Sequence, residues 1–270
     1  MSVASKALQE SVDAEITTLV TAFCIHDDAE LEISFCSEND NNSKNGVPFA
    51  IFNKLFQSLS NAAQNGKLYA VEKTAMIDFF FAGNIRTRYL SGKAPVSIVK
   101  TRLSKFDVLC PERPNINIRF NLKNEVPLEK NLIPKIPPLF VRLQESWQFL
   151  YDGRYEYTLK KTVSGVSKQE ACKQTPSYEI ELEVVRKKEW LENTTSESIA
   201  ENIKHKVIDI CGRYTQDGQK HELSLIPKIQ SNAPKILRKE RRKFVAAKKR
   251  REQRKRKAAM KSMIGTEEEK

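Results

Sequence analysis

Short β-rich segments with alternating apolar and polar residues recur along this chain, and they restrict its fold more than any other feature. They cover residues 29–35, 75–81, 85–90, 96–103, 115–126, 140–151, 154–163 and 178–185. Turn formers such as Gly92, Pro111 and Gly153 separate several of them. About eight such segments favour an antiparallel sheet that is closed, or nearly closed, on itself. The pattern therefore predicts an α+β protein built on an antiparallel eight-stranded β-barrel.

Helical spacing of apolar residues predicts flanking helices over residues 6–23, 49–63 and 196–211. Ser196 is a candidate N-cap for the third helix, and Gly212 follows the end of that helix. We expect one domain over residues 1–215, a linker over 216–234 and a helical or disordered tail over 235–270. At 270 residues, the chain is long enough to bury a sizeable core in that domain.

The positive charge of the chain is concentrated in its tail. Residues 235–257 contain 14 Lys and Arg against two Glu, which accounts for the whole net charge of +12. Such a segment contacts nucleic-acid phosphates without sequence preference, or it serves as a nuclear-localisation signal. We therefore expect a nucleic acid as a partner and an intracellular location such as the nucleus.

Several other classes of protein are excluded by missing motifs. No apolar run approaches the roughly 18 residues of a membrane helix, and the first 25 residues carry Glu10, Asp13 and Glu15 instead of a signal peptide. The five cysteines form no Cys-x-x-Cys pair, so neither disulfides nor a zinc site is predicted. Neither a phosphate-binding Gly-x-x-x-x-Gly-Lys loop nor a Gly-x-Ser-x-Gly nucleophile elbow occurs.

Glutamates occupy alternate positions in two of the predicted strands. They are Glu30 and Glu32 in the first strand, and Glu179, Glu181 and Glu183 in the last. Alternate residues of a strand point to the same side, so each set shares one face. For a single Glu-x-Glu pair, the ordinary explanation is an amphipathic strand with its carboxylates in water.

The choice of glutamate at every polar position argues against that explanation. Glutamate is a poor strand former, and like charges at this spacing repel one another. A bound divalent cation would offset the repulsion, and carboxylate oxygens suit Mg²⁺ or Mn²⁺. The two strands therefore predict a metal site.

Basic residues follow the same alternation in the strands between the two glutamate sets. They are Arg86, Arg88, Lys100, Arg102, Arg119, Arg142 and Arg154. Each one alone is ordinarily a surface charge. Together, facing inward beside the glutamates, they would make an interior that requires a charged ligand. A phosphate chain carried by the metal is such a ligand.

In their order along the chain, these residues resemble the motifs of triphosphate tunnel metalloenzymes, and most closely the metal-dependent RNA 5′-triphosphatases of fungi and large DNA viruses. The resemblance covers roughly residues 29–185. It rests on Glu30-x-Glu32, Asn84-Ile85-Arg86, Lys100-Thr101-Arg102-Leu103, Arg154-Tyr155-Glu156-Tyr157-Thr158 and Glu179-x-Glu181-x-Glu183. It implies a triphosphate tunnel of eight strands and removal of the γ-phosphate of 5′-triphosphate RNA, the first step of mRNA cap formation. It also implies RNA as the partner of the basic tail, and an intracellular location in the nucleus or, for a viral protein, in a virion or viral factory.

The resemblance also implies roles for individual residues. Glu30, Glu32 and Glu183 would be direct ligands of Mg²⁺ or Mn²⁺, and Glu179 and Glu181 would organise metal-bound water and neighbouring basic groups. Glu125 would orient the attacking water, and Asp78 is a weaker match to a family aspartate. Phosphates would contact Arg86, Lys100 and Arg154, with Arg88, Arg102, Arg119 and Arg142 as further basic candidates. Glu156 and Thr158 would support the tunnel floor.

The chain departs from the family pattern in three ways. Ser34 stands where the family usually has a basic residue, Glu156 replaces an aspartate, and Gln144 and Glu145 interrupt a strand that often carries alternating Arg or Lys. Compensating charge would come from Arg88, Arg102 or Arg119. Other readings remain open: a tunnel enzyme or cyclase acting on nucleoside triphosphates, thiamine triphosphate or polyphosphate, or a binding module without catalysis. No guanylyltransferase Lys-x-Asp-Gly motif occurs, so we expect that capping partner to be a separate chain.

Overall fold

A computed structural model describes residues 3–37, 46–66, 68–110, 116–129, 134–213 and 225–227 of the chain. The predicted basic tail and most of the predicted linker lie outside these residues. None of the helices in the described ranges is both long and apolar enough to cross a membrane.

Eight antiparallel strands close into a barrel, as predicted. They are β1 (Ala29–Ser37), β2 (Tyr69–Phe81), β3 (Ile85–Leu90), β4 (Val96–Leu109), β5 (Ile116–Pro127), β6 (Phe140–Tyr151), β7 (Tyr155–Gly165) and β8 (Ser177–Val184). The order around the barrel is β3, β2, β6, β7, β8, β1, β5 and β4, and pairing of β3 with β4 closes it. A two-residue strand, β9 (Ile226–Pro227), pairs with the end of β4, within the range predicted as a linker.

The main apolar core lies outside the barrel. Alternation turns the polar residues of β1, β5 and β8 inward and their apolar residues outward, where side chains such as Leu31, Ile33 and Ile180 are fully buried. Helices α1 (Val3–Ile25) and α5 (Ser196–Arg213) contact each other, and α1 also contacts β1, β4 and β5. Buried residues of α1 such as Ile16 and Leu19 complete this core.

Helix α2 (Phe49–Gln64) covers a second part of the outer surface. Phe52 packs edge-on against Trp147 of β6 and at a tilt against Tyr178 of β8, with ring centroids 6.0 and 5.0 Å away. Two short helices, α3 (Lys168–Ala171) and α4 (Lys188–Glu192), lie before and after β8. Helices outside the barrel thus leave its interior free for polar side chains.

Two strands, β2 and β4, extend six residues beyond their predicted ranges, and both contain an irregularity. The register of β2 against β6 shifts between Val71 and Thr74, so the segment before Ala75 loses its period of two. The register of β4 against β5 shifts between Arg102 and Ser104, where the predicted strand ends. A bulge adds one residue to a strand and reverses the alternation beyond it, which hides the continuation of that strand from a periodicity argument.

Candidate active site

A cavity of about 840 Å³ lies inside the barrel. Its charged lining residues are Glu32, Asp78, Arg86, Arg88, Lys100, Arg102, Lys123, Arg142, Lys160, Glu179 and Glu181. Seven of these are basic and four acidic, so this part of the interior favours an anionic ligand. The charged interior that the alternation predicts is therefore present.

The glutamates of β1, β7 and β8 face each other directly across neighbouring strands. Glu183 lies opposite Glu32 on one side and opposite Glu156 on the other. Carboxylates in such cross-strand positions repel one another. A cation that binds them would relieve this repulsion.

This crowding of carboxylates destabilises mainly the ionised form of Glu183. Its burial, together with the nearby charges of Glu30, Glu156 and Glu32, raises its pKa to about 8. Burial also raises the pKa of Glu30, which lies close to Glu125. Glu183 therefore holds a proton at neutral pH unless a cation takes the place of that proton.

Lysines neutralise the other carboxylates. Lys100 contacts both Glu30, at 3.2 Å, and Glu125. Lys123 pairs with Glu32, and although burial alone would raise the pKa of Glu32, the lysines around it lower this pKa to about 2.

A third lysine serves the carboxylates of β8. Lys160 of β7 pairs with Glu181. Burial alone would lower the pKa of Lys160, but the neighbouring carboxylates raise it above its ordinary value. Lys160 is thus charged inside the barrel.

The arginines fall into two groups. The guanidinium of Arg88 donates two hydrogen bonds, of 2.7 and 2.8 Å, to Asp78, which is fully buried. Arg119 donates one of 2.7 Å to Asp107 and does not line the cavity. These two arginines are occupied by protein carboxylates.

Arg86 and Arg142 have weaker protein partners. Arg86 lies 3.4 Å from Glu125, and Arg142 lies 3.9 Å from Glu179. The Nε atoms of both arginines are buried without a hydrogen-bond acceptor. A buried donor without a partner is costly, so these two groups call for an acceptor, and the phosphate oxygens of a ligand are suitable acceptors.

The donor set fits a divalent metal in chemistry. Glu30, Glu32 and Glu183 supply hard oxygen ligands from two adjacent strands, and Mg²⁺ and Mn²⁺ prefer such ligands. Among the described residues, however, no group of three His, Cys, Asp or Glu side chains is arranged to hold an ion. Ion pairs to Lys100 and Lys123 hold two of these carboxylates instead. Metal binding would therefore require them to exchange partners.

Arg154 does not line the cavity. It is the last residue of the β6–β7 turn, in which Asp152 and Gly153 both have positive φ, as in the tight turns of hairpins. Its guanidinium pairs with Asp152 at 3.3 Å and lies over the ring of Trp190, 5.7 Å from the ring centre. A phosphate contact by Arg154 stays a prediction that this side-chain position does not favour.

Glu156 and Thr158, both on β7, are joined inside the barrel. Glu156 accepts hydrogen bonds from Thr158 at 3.0 Å and from Gln148 at 2.7 Å. This arrangement agrees with a supporting position for both residues.

Two basic residues of the cavity, Lys123 and Lys160, are absent from the predicted phosphate contacts. A signal for both was available, because each alternates with a residue that was predicted to face inward: Lys123 with Glu125 and Lys160 with Thr158. One of them, Lys123, also compensates for the missing basic residue at the position of Ser34. Ser34 donates to Glu32 at 2.9 Å while Lys123 supplies the positive charge there.

On β6, Gln144 and Glu145 stand where the family often has alternating basic residues, and an arginine elsewhere compensates. Gln144 faces inward and contacts Met76 Sδ at 3.3 Å, whereas Glu145 faces outward and pairs with Lys73 and Lys161. Of the arginines expected to compensate, only Arg102 both lines the cavity and has no ion pair within the described chain.

Comparison with known proteins supports the same architecture. No protein-family model matches the chain, and no curated protein matches it in sequence. The structure is similar to the S. pombe RNA triphosphatase Pct1, with a TM-score of 0.61 and 15% identity over 75% of this chain and 93% of that chain. It is also similar to the Mimivirus capping enzyme triphosphatase, with a TM-score of 0.52 and 15% identity over 75% of this chain and 98% of that one.

A likeness at such low identity is one of fold. Eight antiparallel strands with flanking helices agree between the sequence prediction and the structure, and this fold matches that of these neighbours. The chain therefore has the triphosphate tunnel fold.

Proposed function

We propose that this chain is a metal-dependent polynucleotide 5′-triphosphatase, which removes the γ-phosphate of 5′-triphosphate RNA in the first step of mRNA cap formation. The supporting observation is the barrel interior, where a row of glutamates stands beside cavity-lining arginines, Arg86 and Arg142, whose buried Nε atoms have no acceptor. Such an interior suits a ligand that carries both a metal and many phosphate oxygens.

The basic residues bind the phosphates. Arg86 and Arg142 donate to phosphate oxygens through the groups that have no protein acceptor. Lys100, Lys123 and Lys160 lie among the carboxylates and neutralise the charge that spreads over the phosphoryl oxygens in the transition state.

The glutamates of β1 and β8 hold the metal. Glu30, Glu32 and Glu183 are the proposed ligands of Mg²⁺ or Mn²⁺, and Glu179 and Glu181 stabilise the surrounding basic groups. Such an ion supplies Lewis-acid stabilisation of the charge on the phosphate oxygens.

Glu125 orients the attacking water. Burial alone would raise the pKa of Glu125, but Lys100 and Arg86 lower it below its ordinary value. Glu125 is consequently ionised at neutral pH and able to accept a proton. When phosphates attract Lys100 and Arg86, the Glu125 carboxylate is released to the water beside them.

The test is phosphate release from RNA carrying a γ-labelled 5′-triphosphate, in the presence of Mg²⁺ or Mn²⁺. Glu32→Ala and Glu183→Ala are each expected to reduce release to a few per cent of the wild-type rate or less. Glu145→Ala, on the outer face, is the matched control and is expected to retain activity. Substantial activity in Glu32→Ala and Glu183→Ala would refute the assignment of the metal ligands.

The same assay separates the alternatives. ATP, thiamine triphosphate and tripolyphosphate test other tunnel-fold activities, and pyrophosphate as the product would indicate a cyclase. Binding of triphosphate RNA without any phosphate release would indicate a non-catalytic binding module.

The proposed activity implies partners in capping. The structure of the S. pombe neighbour Pct1 in complex with the Spt5 CTD is also similar to this chain, with a TM-score of 0.61 and 14% identity. For this chain, we propose a separate guanylyltransferase or another capping or transcription component as the partner, RNA binding by the basic tail, and an intracellular site of action in the nucleus or a viral factory.

A further inference from the structure

The interior cavity reaches solvent at one end of the barrel. There it is lined by the exposed residues Asn84, Leu139, Gln174 and Thr175, together with Phe80 and Phe140. These six residues form the mouth of the cavity. They lie where β2 ends and β6 begins, and in the segment before β8.

One wall of the mouth is aromatic. Phe80 and Phe140 are cross-strand partners on β2 and β6, and their rings are stacked with centroids 4.2 Å apart and an interplanar angle of 11°. The backbone N–H of Leu139 donates to the carbonyl of Phe80 at 2.7 Å, which fixes the rim beside the pair. Both rings are half-buried, and the Leu139 side chain is 62% exposed.

The aromatic pair contrasts with the residues that follow it into the barrel. Further along β2 and β6, the positions on the same face are Asp78 and Met76, and Arg142, Gln144 and Ser146. An apolar surface that water can reach, at the entrance of a polar cavity, is ordinarily a place where part of a ligand binds.

Arg142 links this wall to the interior. Its guanidinium lies over the ring of Phe80, 5.3 Å from the ring centre. It is two residues further along β6 than Phe140, which places its backbone about 7 Å deeper. A nucleotide with a phosphate on Arg142 therefore has its sugar and base at the level of the mouth.

We infer that Phe80 and Phe140 form a subsite for the nucleobase of the 5′-terminal nucleotide. The inference rests on the proposed function, because it takes the triphosphate to occupy the basic interior. Every nucleobase has a face that stacks on aromatic rings, so the subsite selects triphosphates that carry a nucleoside without selecting a particular base. It assigns the chain to nucleoside and polynucleotide triphosphates in preference to inorganic polyphosphate.

The test compares substrates with and without a base. The double variant Phe80→Leu/Phe140→Leu keeps an apolar mouth but removes both aromatic rings. We expect its kcat/KM for triphosphate RNA and for ATP to fall about tenfold, within the range that stacking on one base provides. Hydrolysis of tripolyphosphate should change less than about twofold, and this also shows that the variant is folded.

Phe79→Leu is the matched control. Phe79 is the neighbouring residue on β2 but belongs to the outer face, where it packs edge-on against Tyr89 with centroids 5.3 Å apart. This variant should leave all three substrates unaffected. Equal losses on RNA, ATP and tripolyphosphate in the double variant, or no loss on any of them, would overturn the subsite.

A parallel binding measurement keeps the subsite testable if no substrate is hydrolysed. Competition of tripolyphosphate against a fluorescent triphosphate RNA gives the preference of the wild type for the nucleoside-bearing ligand, and this preference should disappear in the double variant. Absence of phosphate release would then refute the proposed function alone. A wild type without the preference, or a variant that retains it, would refute the subsite.

Discussion

Replacing Glu183 by glutamine in metal-free protein should change how stability depends on pH. Glu183 faces Glu32 and Glu156 across the sheet, and burial with these neighbours raises its pKa from 4.5 to about 8. Between these two pH values, the folded chain holds a proton that the unfolded chain has released. The contribution of Glu183 to the free energy of unfolding is therefore fully present below about pH 4.5, and it is lost as pH rises to about 8.

The size of the effect follows from the width of that window. The two pKa values differ by about 3.5 pH units, and each unit corresponds to about 1.36 kcal/mol, so the loss is on the order of 5 kcal/mol. Burial also raises the pKa of Glu30 and Glu179, which adds to the loss in the same direction. The difference between the wild type and Glu183→Gln isolates the contribution of Glu183.

Urea unfolding of chelator-treated protein, at intervals from pH 5 to pH 9, measures this difference. The wild type should lose stability over this range by several kcal/mol more than Glu183→Gln. Excess Mg²⁺ should restore the stability of the wild type at pH 8 to 9, since a cation on the carboxylates replaces the proton. Mg²⁺ should have a smaller effect on the variant, which has one proposed ligand fewer.

Glu145→Gln provides the control. Glu145 is 39% exposed on its side chain and pairs with Lys73, whose hydrogen bond lowers the pKa of this carboxyl. Its replacement should leave the profile above pH 5 parallel to that of the wild type. If Glu183→Gln loses as much stability between pH 5 and pH 9 as the wild type, the reasoning about crowded carboxylates is wrong.

Four further predictions concern other charges. Asp78→Asn removes the acceptor of two Arg88 hydrogen bonds and should cost about 2–3 kcal/mol in urea unfolding, less than the roughly 3–5 kcal/mol of a fully buried pair because the Arg88 side chain is 29% exposed. Asp152→Asn, at the exposed ion pair with Arg154, should change stability by less than about 1 kcal/mol. Lys160→Met should weaken tripolyphosphate binding about tenfold in calorimetry, and an unchanged affinity would exclude Lys160 from phosphate binding. Deleting residues 235–270 should reduce RNA affinity at low salt and flatten its salt dependence, and equal affinities would remove the tail from RNA binding.

The barrel was predictable because two separate requirements make apolar and polar residues alternate along its strands. Outward residues such as Ile33 and Leu182 are apolar because helices and the barrel wall enclose them, while inward Glu32 and Glu181 are polar because they line the barrel. Both requirements repeat with a period of two, so all eight strands are visible in the sequence. The pattern fails where a bulge reverses it, as between Arg102 and Ser104.

The pairing of charges was not predictable to the same degree. The strand order places β2 between β3 and β6, so Asp78 meets both Arg88 and Arg142 at the same register position. This register depends on which strands pair with β2, and alternation along a single strand does not specify those partners. Arg154 shows the related limit of alternation, because a tight turn takes its side chain out of the pattern of β7.

The ion pairs of the interior also bear on how the proposed metal site and the proposed phosphate site would both fit inside the barrel. A buried charge is stable only when it is paired, and in this structure Glu32 and Glu181 are paired with Lys123 and Lys160. A metal that takes Glu32 leaves Lys123 without its carboxylate, and a phosphate oxygen is an equivalent partner for that ammonium group. Binding of metal and triphosphate together would therefore exchange the partners of Glu32 and Lys123 without leaving either charge unpaired.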